Sequence, residues 1–415
     1  MNRRYYRFDI KTVSPIALGS GANENSDHDV LLDSRGKPFI PATAVAGVLG
    51  SKLDKETKEK LYGKISPDGD SEKSHIIFYD AELCGKENPN ISVRDSVALE
   101  NKVSVDGAKF DFEIVETGAV FRCFFEIDDT LSEAGEKILI EQLSAMNSGI
   151  LRFGHKSTRG YGEVKLENIR KAFFTDVAEW IRFDMYDDKC WENCEEINLT
   201  AVSFGTDIIN LSLTLKSALS IRNYTTELPN GNETSAPDYK YLSLRDNTPV
   251  IPGTTWAGEF RERTAQLIGE NKNSGEAVKK LFGYIISGTK DTSKSKITFS
   301  ESKFEKGSYT EKLITRNSID RFSSGINHHT LYTELTIYSG KTDLTITLPS
   351  DTDTALKTAL LAAIADLHNG FMAIGGLTSV GRGLFEVDTL CYNGKDKTGE
   401  FFDYKFSDIL GGEQQ

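Results

Sequence analysis

Apolar and polar residues alternate near the start of the chain, and a similar alternation returns in its second half. Residues 4–13 and 211–219 both show the pattern of a half-buried β-strand. Residues 110–127 and 331–348 alternate as well, and each stretch is interrupted by a turn that contains glycine. Two strands joined by such a turn are typical of a hairpin. The pattern therefore predicts one strand and one hairpin in each half.

Helical periodicity is clearest at residues 131–147 and 354–368, where apolar residues recur at the spacing of one helix face. Each segment is followed by a loop with the glycine spacing G-x5-G-x-G, at residues 154–162 and 375–383. β-Branched or aromatic residues come next, so each loop is predicted to connect a helix to a strand. Glycine at such a junction allows positive φ and the close approach of another backbone segment.

A longer repeat connects the two halves of the chain. The phrase Pro-x-Ile-Pro-x-Thr-x-x-Ala-Gly occurs at residues 38–47 and again at residues 249–258, an offset of 249 − 38 = 211. The glycine loops are offset by 375 − 154 = 221, so the second copy carries extra residues between these motifs. Such self-similarity indicates a tandem duplication of one domain.

The helix that follows each proline phrase is expected to begin at Thr43 or Thr254, either of which can serve as a cap. It is expected to run to about Leu61 in the first copy and Leu267 in the second. Each copy then has the order β-α-β-β-α-β, which predicts an α+β, ferredoxin-like (RRM-like) domain with two helices on one face of an antiparallel sheet. The predicted boundaries are 1–172 for the first domain, 173–207 for a linker, 208–403 for the second domain and 404–415 for a tail.

Composition narrows the function classes. The chain has 415 residues, a net charge of −13 and five cysteines. The negative charge argues against a protein that coats nucleic acid by itself, although a local basic groove is compatible with it. No apolar run is long enough to span a membrane or serve as a signal peptide, and an odd number of scattered cysteines suits a reducing compartment. The chain is therefore expected in the cytoplasm, away from membranes.

The proline phrase and the glycine loop, each present twice and in the same order, resemble the RAMP superfamily of CRISPR-associated proteins. Within it, the closest resemblance is to backbone subunits of type III effector complexes, which serve in antiviral defence. The resemblance implies partners: a CRISPR guide RNA bound along the sheet and glycine loop, a target RNA paired with it, and other subunits of the complex. It also implies a thumb-like insertion that splays the guide–target duplex.

The residues expected to contact RNA lie mainly in the glycine loops, because backbone N–H groups and short polar or basic side chains suit phosphates. In the first loop they are Lys156, Ser157, Thr158 and Arg159, and Arg382 is the counterpart in the second. Further candidates, expected at strand starts on one side, are Arg94, Arg316 and Arg321. The loop glycines are Gly154, Gly160, Gly162, Gly375, Gly381 and Gly383. For each arginine, a structural ion pair is the alternative.

The resemblance also implies an endoribonuclease site. In the family, an aspartate in the loop between the first strand and the first helix supports metal-dependent cleavage of target RNA, and alignment places it at Asp27. A carboxylate there could bind Mg²⁺ or Mn²⁺ next to the scissile phosphate. An alternative is that Asp27 only solvates a polar loop. In the second copy the aligned residue is Lys240, with Asp238 two positions away, so that copy is expected to bind without cutting unless the alignment shifts locally.

Other functions fit parts of the pattern. A scaffold or capping subunit would bind guide RNA without cleaving it. A guide-processing endoribonuclease would use histidine as acid or base. The loop histidines available are His28, His155, His328 and His329. A nucleotide-binding P-loop is disfavoured, because the first glycine loop leads from a helix into a strand and its lysine is one residue out of position.

Overall fold

The chain folds as two compact units. Unit 1 comprises Met1–Ser157 with Tyr161–Phe204, and unit 2 comprises Thr158–Gly160 with Gly205–Gln415. Each unit has its own apolar core, as independent domains do. The computed structural model describes residues 2–19, 29–64, 69, 71–85, 91–100, 103–200, 205–223, 237–271, 275–285, 292–327 and 330–411.

Unit 1 is a mixed α+β domain built on one main sheet. Strand β1 lies between β7 and β8 and is antiparallel to both, in the order β2-β4-β7-β1-β8-β9. The strands are β1 (Arg3–Thr12), β2 (Phe39–Ile40), β3 (Ile76–Phe78), β4 (Ala81–Leu83), β5 (Ile91–Glu100), β6 (Val103–Val115), β7 (Val120–Ile127), β8 (Val164–Phe174) and β9 (Glu195–Glu196). The helices are α1 (Ala42–Leu49), α2 (Lys55–Tyr62), α3 (Glu133–Asn147) and α4 (Val177–Ile181).

Unit 2 has the same class of fold with more short strands. Strand β10 lies between β21 and β22, in the order β17-β21-β10-β22-β23. The strands are β10 (Thr206–Leu215), β11 (Ala218–Leu219), β12 (Arg222–Asn223), β13 (Tyr239–Tyr241), β14 (Val250–Ile251), β15 (Tyr284–Ile285), β16 (Thr292–Ser293), β17 (Thr298–Phe299), β18 (Ser302–Lys303), β19 (Tyr309–Arg316), β20 (Tyr332–Ser339), β21 (Lys341–Pro349), β22 (Phe385–Tyr392) and β23 (Lys395–Asp396). The helices are α5 (Gly253–Leu267), α6 (Glu276–Phe282), α7 (Thr354–His368), α8 (Thr398–Phe402) and α9 (Phe406–Ile409). The predicted α+β class is confirmed.

The two faces of β1 explain how unit 1 is layered. Tyr6, Phe8 and Ile10 point into the main core, where they are almost fully buried with residues of α3. Tyr5 and Arg7 point to the opposite face, because successive side chains of a strand alternate. Both are also buried, so this second face is covered too.

The cover is residues 176–196, most of the stretch that the sequence suggests as a linker. Trp191 is fully buried against Tyr5 and its neighbours, and Trp180 Nε1 donates to Tyr5 Oη at 2.9 Å. Asp188 accepts from Arg7 Nη1 at 2.7 Å. Residues 176–196, which contain α4 and β9, are therefore a packed part of unit 1.

The hairpins predicted at residues 110–127 and 331–348 are wrong in both units. In unit 1 the chain turns at Gly118, but β6 pairs with β5 and β7 pairs with β1. In unit 2 the chain turns at Gly340, and again β20 pairs with β19 while β21 pairs with β10. Alternation identifies the buried face of a strand but not its neighbour. Each turn moves the chain from one sheet to another, and β6 and β20 instead form hairpins with β5 and β19.

The helix after each proline phrase begins directly after the second proline. Pro41 and Pro252 are the N-cap residues, with extended backbone and no side-chain cap, so the expected caps at Thr43 and Thr254 are wrong. The helix is divided into α1 and α2 in unit 1, whereas α5 reaches Leu267 as predicted. No helix in the described part of the chain combines the length and apolar character that a membrane span requires.

Candidate nucleic-acid interface

Backbone hydrogen bonds hold the first glycine loop against the segment that follows β1. Phe153 N donates to Gly162 O at 2.9 Å and closes the loop. Gly162 N donates to Pro15 O at 2.8 Å, and His155 N donates to Ala17 O at 3.0 Å. The shape of this loop is therefore fixed by the main chain.

The second glycine loop has the same three bonds. Ile374 N donates to Gly383 O at 2.9 Å, Gly383 N donates to Ala218 O at 2.8 Å, and Gly376 N donates to Ser220 O at 2.8 Å. The loop residues are offset from those of the first loop by 383 − 162 = 221, and the acceptor residues by 218 − 15 = 203. The two loops are thus equivalent bond by bond.

Glycine is required where each loop closes. A Cβ atom on Gly162 would lie 1.9 Å from Phe153 O, and one on Gly383 would lie 1.9 Å from Ile374 O. No side chain fits at such distances. All the predicted loop glycines have positive φ, which is accessible to glycine at little cost: Gly154, Gly160, Gly162, Gly375, Gly381 and Gly383. These residues shape the loop, which leaves RNA recognition to its other positions.

Two of the predicted RNA ligands of the first loop face the protein. Lys156 is half-buried and has a positive φ of 56°. Its Nζ lies 3.3 Å from the ring centroid of Phe112 and 4.5 Å from that of Phe110, which is a cation–π contact. Ser157 is buried. The Lys156 ammonium is thus held against two aromatic rings of β6.

The apex of the first loop presents the more accessible candidates. Thr158–Gly160 belongs to unit 2, Thr158 is half-buried and Arg159 is exposed. Burial, and next the positive charge of Arg159, lower the pKa of Arg261. Arg159 is therefore the exposed cation of this loop that can contact phosphate.

The residue before the last loop glycine differs in chemistry between the units. Tyr161 is buried and packs edge-on against Phe112, with ring centroids 5.7 Å apart. The equivalent residue is Arg382 (382 − 161 = 221), whose Nη1 donates to Glu334 Oε1 at 2.6 Å. Both side chains of this ion pair are 3% exposed. The expected surface contact of Arg382 with RNA is therefore corrected to a buried ion pair.

The other three candidate arginines do not share one side at strand starts, as the sequence suggested. Arg94 is 3% exposed inside the hairpin β5–β6. Arg316 is half-buried at the end of β19. Arg321 is exposed in a turn in which the carboxylate of Asp320 accepts two backbone N–H bonds. Of the three, Arg321 is the one with a surface position open to a partner.

The proposed catalytic aspartate, Asp27, lies outside the described residues. The same holds for three of the four histidines considered above: His28, His328 and His329. The base of the Asp27 loop is described, and there Gly19 and Val30 form an antiparallel bridge. In the described part of the chain, no group of three or more His, Cys, Asp or Glu residues is arranged to hold a metal ion.

In the corresponding region of unit 2, the side chains of Asp238 and Lys240 make hydrogen bonds within the protein. Asp238 Oδ2 accepts from Thr333 N at 2.6 Å, and Asp238 N donates to Thr333 O at 2.8 Å. Lys240 Nζ donates to Asn247 Oδ1 at 2.9 Å. Asp238 thus connects β13 to β20.

The buried pair of Arg382 and Glu334 was not foreseen, although the repeat contained a signal for it. Bridges align Val115 with Ile16 and Ile337 with Leu219, which gives an offset of 337 − 115 = 222 between β6 and β20. With that offset Phe112 aligns with Glu334. The aromatic pair of Tyr161 and Phe112 in the first copy and the ion pair of Arg382 and Glu334 in the second are therefore equivalent contacts.

Comparison with known families gives one result. A family model described as the RAMP superfamily matches residues 9–165 and, separately, residues 212–386. One match falls in each half of the duplication, and together they cover more than half of the chain. No curated protein matches the chain.

Proposed function

Because this chain belongs to the RAMP superfamily, whose members generally bind CRISPR RNA in multi-subunit complexes, we propose that it is a guide-RNA-binding backbone subunit of a type III effector complex. The observation that carries the proposal is the glycine loop, which is built twice with the same hydrogen bonds. Such a loop holds short segments of backbone at fixed positions, as phosphate recognition requires. We place this subunit in the cytoplasm with guide RNA, target RNA and other subunits.

The first loop is the stronger RNA contact in this proposal. Its apex exposes Arg159. The apex of the second loop exposes Ser379 and Val380, and its arginine, Arg382, is buried. Phosphate binding depends on accessible cations, so the two loops are expected to contribute unequally.

Cleavage of target RNA is the second part of the proposal, and it assigns catalysis and binding of Mg²⁺ or Mn²⁺ to Asp27. Asp27 is three residues before Val30, whose bridge to Gly19 closes the loop. The carbonyl of Ala17, two residues before Gly19, accepts from His155 in the first glycine loop. The described base of this loop therefore lies beside the first glycine loop, which supports the assignment. A divalent ion bound there would polarise the scissile phosphate.

The RNA-binding part is tested with protein purified from its host. Sequencing of co-purified RNA is expected to yield repeat-derived guide RNA, and Arg159→Ala is expected to lower guide affinity about tenfold. Val380→Ala, at the equivalent exposed position of the second loop, is the matched control and is expected to have no effect. Absence of guide RNA from the purified protein would exclude the backbone role.

The cleavage part is tested in the reconstituted complex. Asp27→Asn, which keeps the size of the side chain, is expected to abolish target cleavage at the sites served by this subunit while guide binding is retained. Cleavage should require Mg²⁺ or Mn²⁺ and stop with a chelator. Unchanged cleavage by the variant would favour a scaffold or capping subunit, and loss of guide processing in a His155→Ala variant would favour the histidine-dependent nuclease.

A further inference from the structure

Two cysteines of the cover lie on either side of its buried tryptophan. Cys190 and Cys194 are half-buried free thiols, and Trp191, next to Cys190, is fully buried. Both cysteines pack against the small core that Tyr5 and Phe124 form with this tryptophan. An isolated cysteine in such a place behaves as a small apolar side chain, but two thiols in one turn can also react with each other.

Backbone turns bring the two cysteines together. Cys190 N donates to Asp187 O at 3.1 Å, and Cys194 N donates to Trp191 O at 3.2 Å. The sulfur of Cys194 donates to the carbonyl oxygen of Cys190 at 3.3 Å, so it already contacts the residue that carries the other thiol. A disulfide needs Cβ atoms about 3.5–4.5 Å apart, and rotation of the Cys190 side chain is the movement by which the two sulfur atoms meet.

The segment that carries the thiols is tied to the sheet of unit 1 on both sides. On one side, Arg7 Nη1 donates to Asp188 Oδ1 at 2.7 Å. On the other, Arg170 Nη1 donates to Cys194 O at 3.3 Å, and β9 pairs with β8. A bond between the two sulfur atoms therefore closes a short piece of chain whose ends are already held in place.

The protons of the two thiols are not equivalent. Burial is the largest cause of the raised pKa of Cys194, and its S–H group is engaged with the Cys190 carbonyl. The thiolate is the form that attacks a disulfide. This difference favours Cys190 as the thiol that reacts first and Cys194 as the thiol that completes the bond.

We propose that Cys190 and Cys194 are a reversible dithiol switch that glutathione disulfide oxidises, and that the bond fixes the cover on unit 1. The Cys190 thiolate attacks glutathione disulfide, which forms a mixed disulfide and releases one glutathione thiolate. Cys194 then attacks the Cys190 sulfur, and the second glutathione thiolate leaves. The two cysteines lose two electrons, glutathione disulfide gains them, and the two cysteine protons end on the two glutathione molecules.

The bond closes a ring of five residues that contains Trp191. Disulfides in small or exposed rings are the readily reduced ones, so the dithiol is open in a reducing compartment and closes when the glutathione pool becomes oxidised. A closed ring limits the opened states of the segment, which holds the sheet through Trp191 and through Asp188. The switch needs no RNA and is independent of the proposed guide binding.

The test places the full chain in buffers with a series of ratios of reduced to oxidised glutathione. In oxidised buffer, the intact mass is expected to fall by two hydrogen atoms, and peptide mapping is expected to find a bond between Cys190 and Cys194 that dithiothreitol reverses. Cys194→Ser should stop at the mixed disulfide of Cys190 with glutathione. Cys84→Ser, at another half-buried cysteine, is the matched control and should form the same bond as the parent.

Hydrogen exchange of the backbone amides of residues 185–196, followed by mass spectrometry, measures the effect on the cover. Exchange is expected to slow about tenfold on oxidation of the native chain and to stay unchanged in Cys194→Ser. A native chain that keeps both thiols at every glutathione ratio would overturn the proposal, and so would a bond to Cys84 or Cys391 in their place. Equal exchange in the oxidised and reduced native chain would show that the bond does not fix the cover.

Discussion

The two units place different chemistry at one position inside the same backbone frame. In unit 1 Tyr161 meets Phe112, and in unit 2 Arg382 meets Glu334. The glycine-loop hydrogen bonds around both contacts are the same. The comparison shows that the duplicated fold constrains the main chain of the loop strictly, whereas the buried contact beneath it can change from an aromatic pair to an ion pair if both partners change together.

A second buried contact has exchanged its charges. In unit 1 Arg4 Nη1 of β1 lies 2.8 Å from Glu136 Oε2 of α3. In unit 2 the equivalent residues are Asp207 of β10 (207 − 4 = 203) and Lys357 of α7 (357 − 136 = 221), with Lys357 Nζ 2.7 Å from Asp207 Oδ2. The strand is basic and the helix acidic in one unit, and the reverse holds in the other. Opposite charge is therefore kept at this contact, while the strand and the helix exchange signs between the units.

The largest loss of stability is expected from substitution of the glycines that close the two loops. Gly162→Ala and Gly383→Ala should each lower the free energy of unfolding by at least about 3 kcal/mol, since a Cβ would overlap a carbonyl oxygen and φ is positive. Urea unfolding followed by circular dichroism measures both. Gly394→Ala is the control, because Gly394 has positive φ and no atom within 4 Å of a Cβ, and should cost about 1 kcal/mol. Clearly unequal losses of unfolding free energy for the two loop variants would show that the two glycine loops are not equivalent.

The next largest loss of stability is expected at the buried ion pair of Arg382 and Glu334, which unit 1 replaces with an aromatic pair. Arg382→Leu alone should destabilise unit 2 by about 3–5 kcal/mol, because Glu334 would remain buried without its partner. The double variant Arg382→Tyr, Glu334→Phe installs the pair found in unit 1 and should unfold within about 1 kcal/mol of the parent, or be more stable. The same urea experiment applies. A double variant as unstable as the single one would show that the surroundings of the two contacts are not interchangeable.

The two ion pairs with exchanged charges predict that both units lose folding free energy at acid pH, because each pair contains one carboxylate. Burial raises the pKa of Glu136 and of Asp207, but hydrogen bonds and nearby cations outweigh it, so both pKa values are lowered. A lowered carboxyl pKa contributes stability above the unfolded pKa, about 4, and that stability is lost as pH falls through the folded value. Unfolding in urea at a series of pH values should show the loss. Asp207→Asn should reduce the dependence of the unfolding free energy of unit 2 on pH in the acid range. An unchanged dependence would mean that other carboxylates cause it.

The smallest effect is expected at Lys156, the lysine over the rings of Phe110 and Phe112. Its counterpart in unit 2 is Leu377, which has a similar positive φ of 57°, so the charge is not needed for the turn. Lys156→Met should cost about 0.5–1 kcal/mol in urea unfolding and leave RNA affinity close to that of the parent. Lys52→Met, at an exposed position, is the control. A large loss of RNA affinity would return Lys156 to the RNA-binding set.

The sequence predicted the features that depend on local pattern. Helix α7 matches its predicted span of 354–368, and the glycine spacing located both loops. It failed where the outcome depends on distant partners. The pairing of β7 with β1, rather than β6, is decided by a strand from the start of the chain. The burial of Arg382 depends on Glu334, which lies 48 positions away.

The candidate site could be predicted only in part, for a similar physical reason. Glycine requirements arise within the backbone, so the spacing of the loop glycines was informative. Whether a basic residue faces RNA or the protein interior depends on what packs beside it, as Lys156 shows with its aromatic neighbours. The assignment of Asp27 rests on family resemblance and remains a prediction.

The cover over the sheet of unit 1 also separates the intrinsic fluorescence of the two domains. The chain has three tryptophans; Trp180 and Trp191 lie in the cover, and Trp256 lies in the core of unit 2. Emission from a Trp256→Phe variant would therefore come from unit 1 alone, and emission from a variant with phenylalanine at both cover positions from unit 2 alone. Each half of this duplicated protein can be followed optically during unfolding while both remain in one chain.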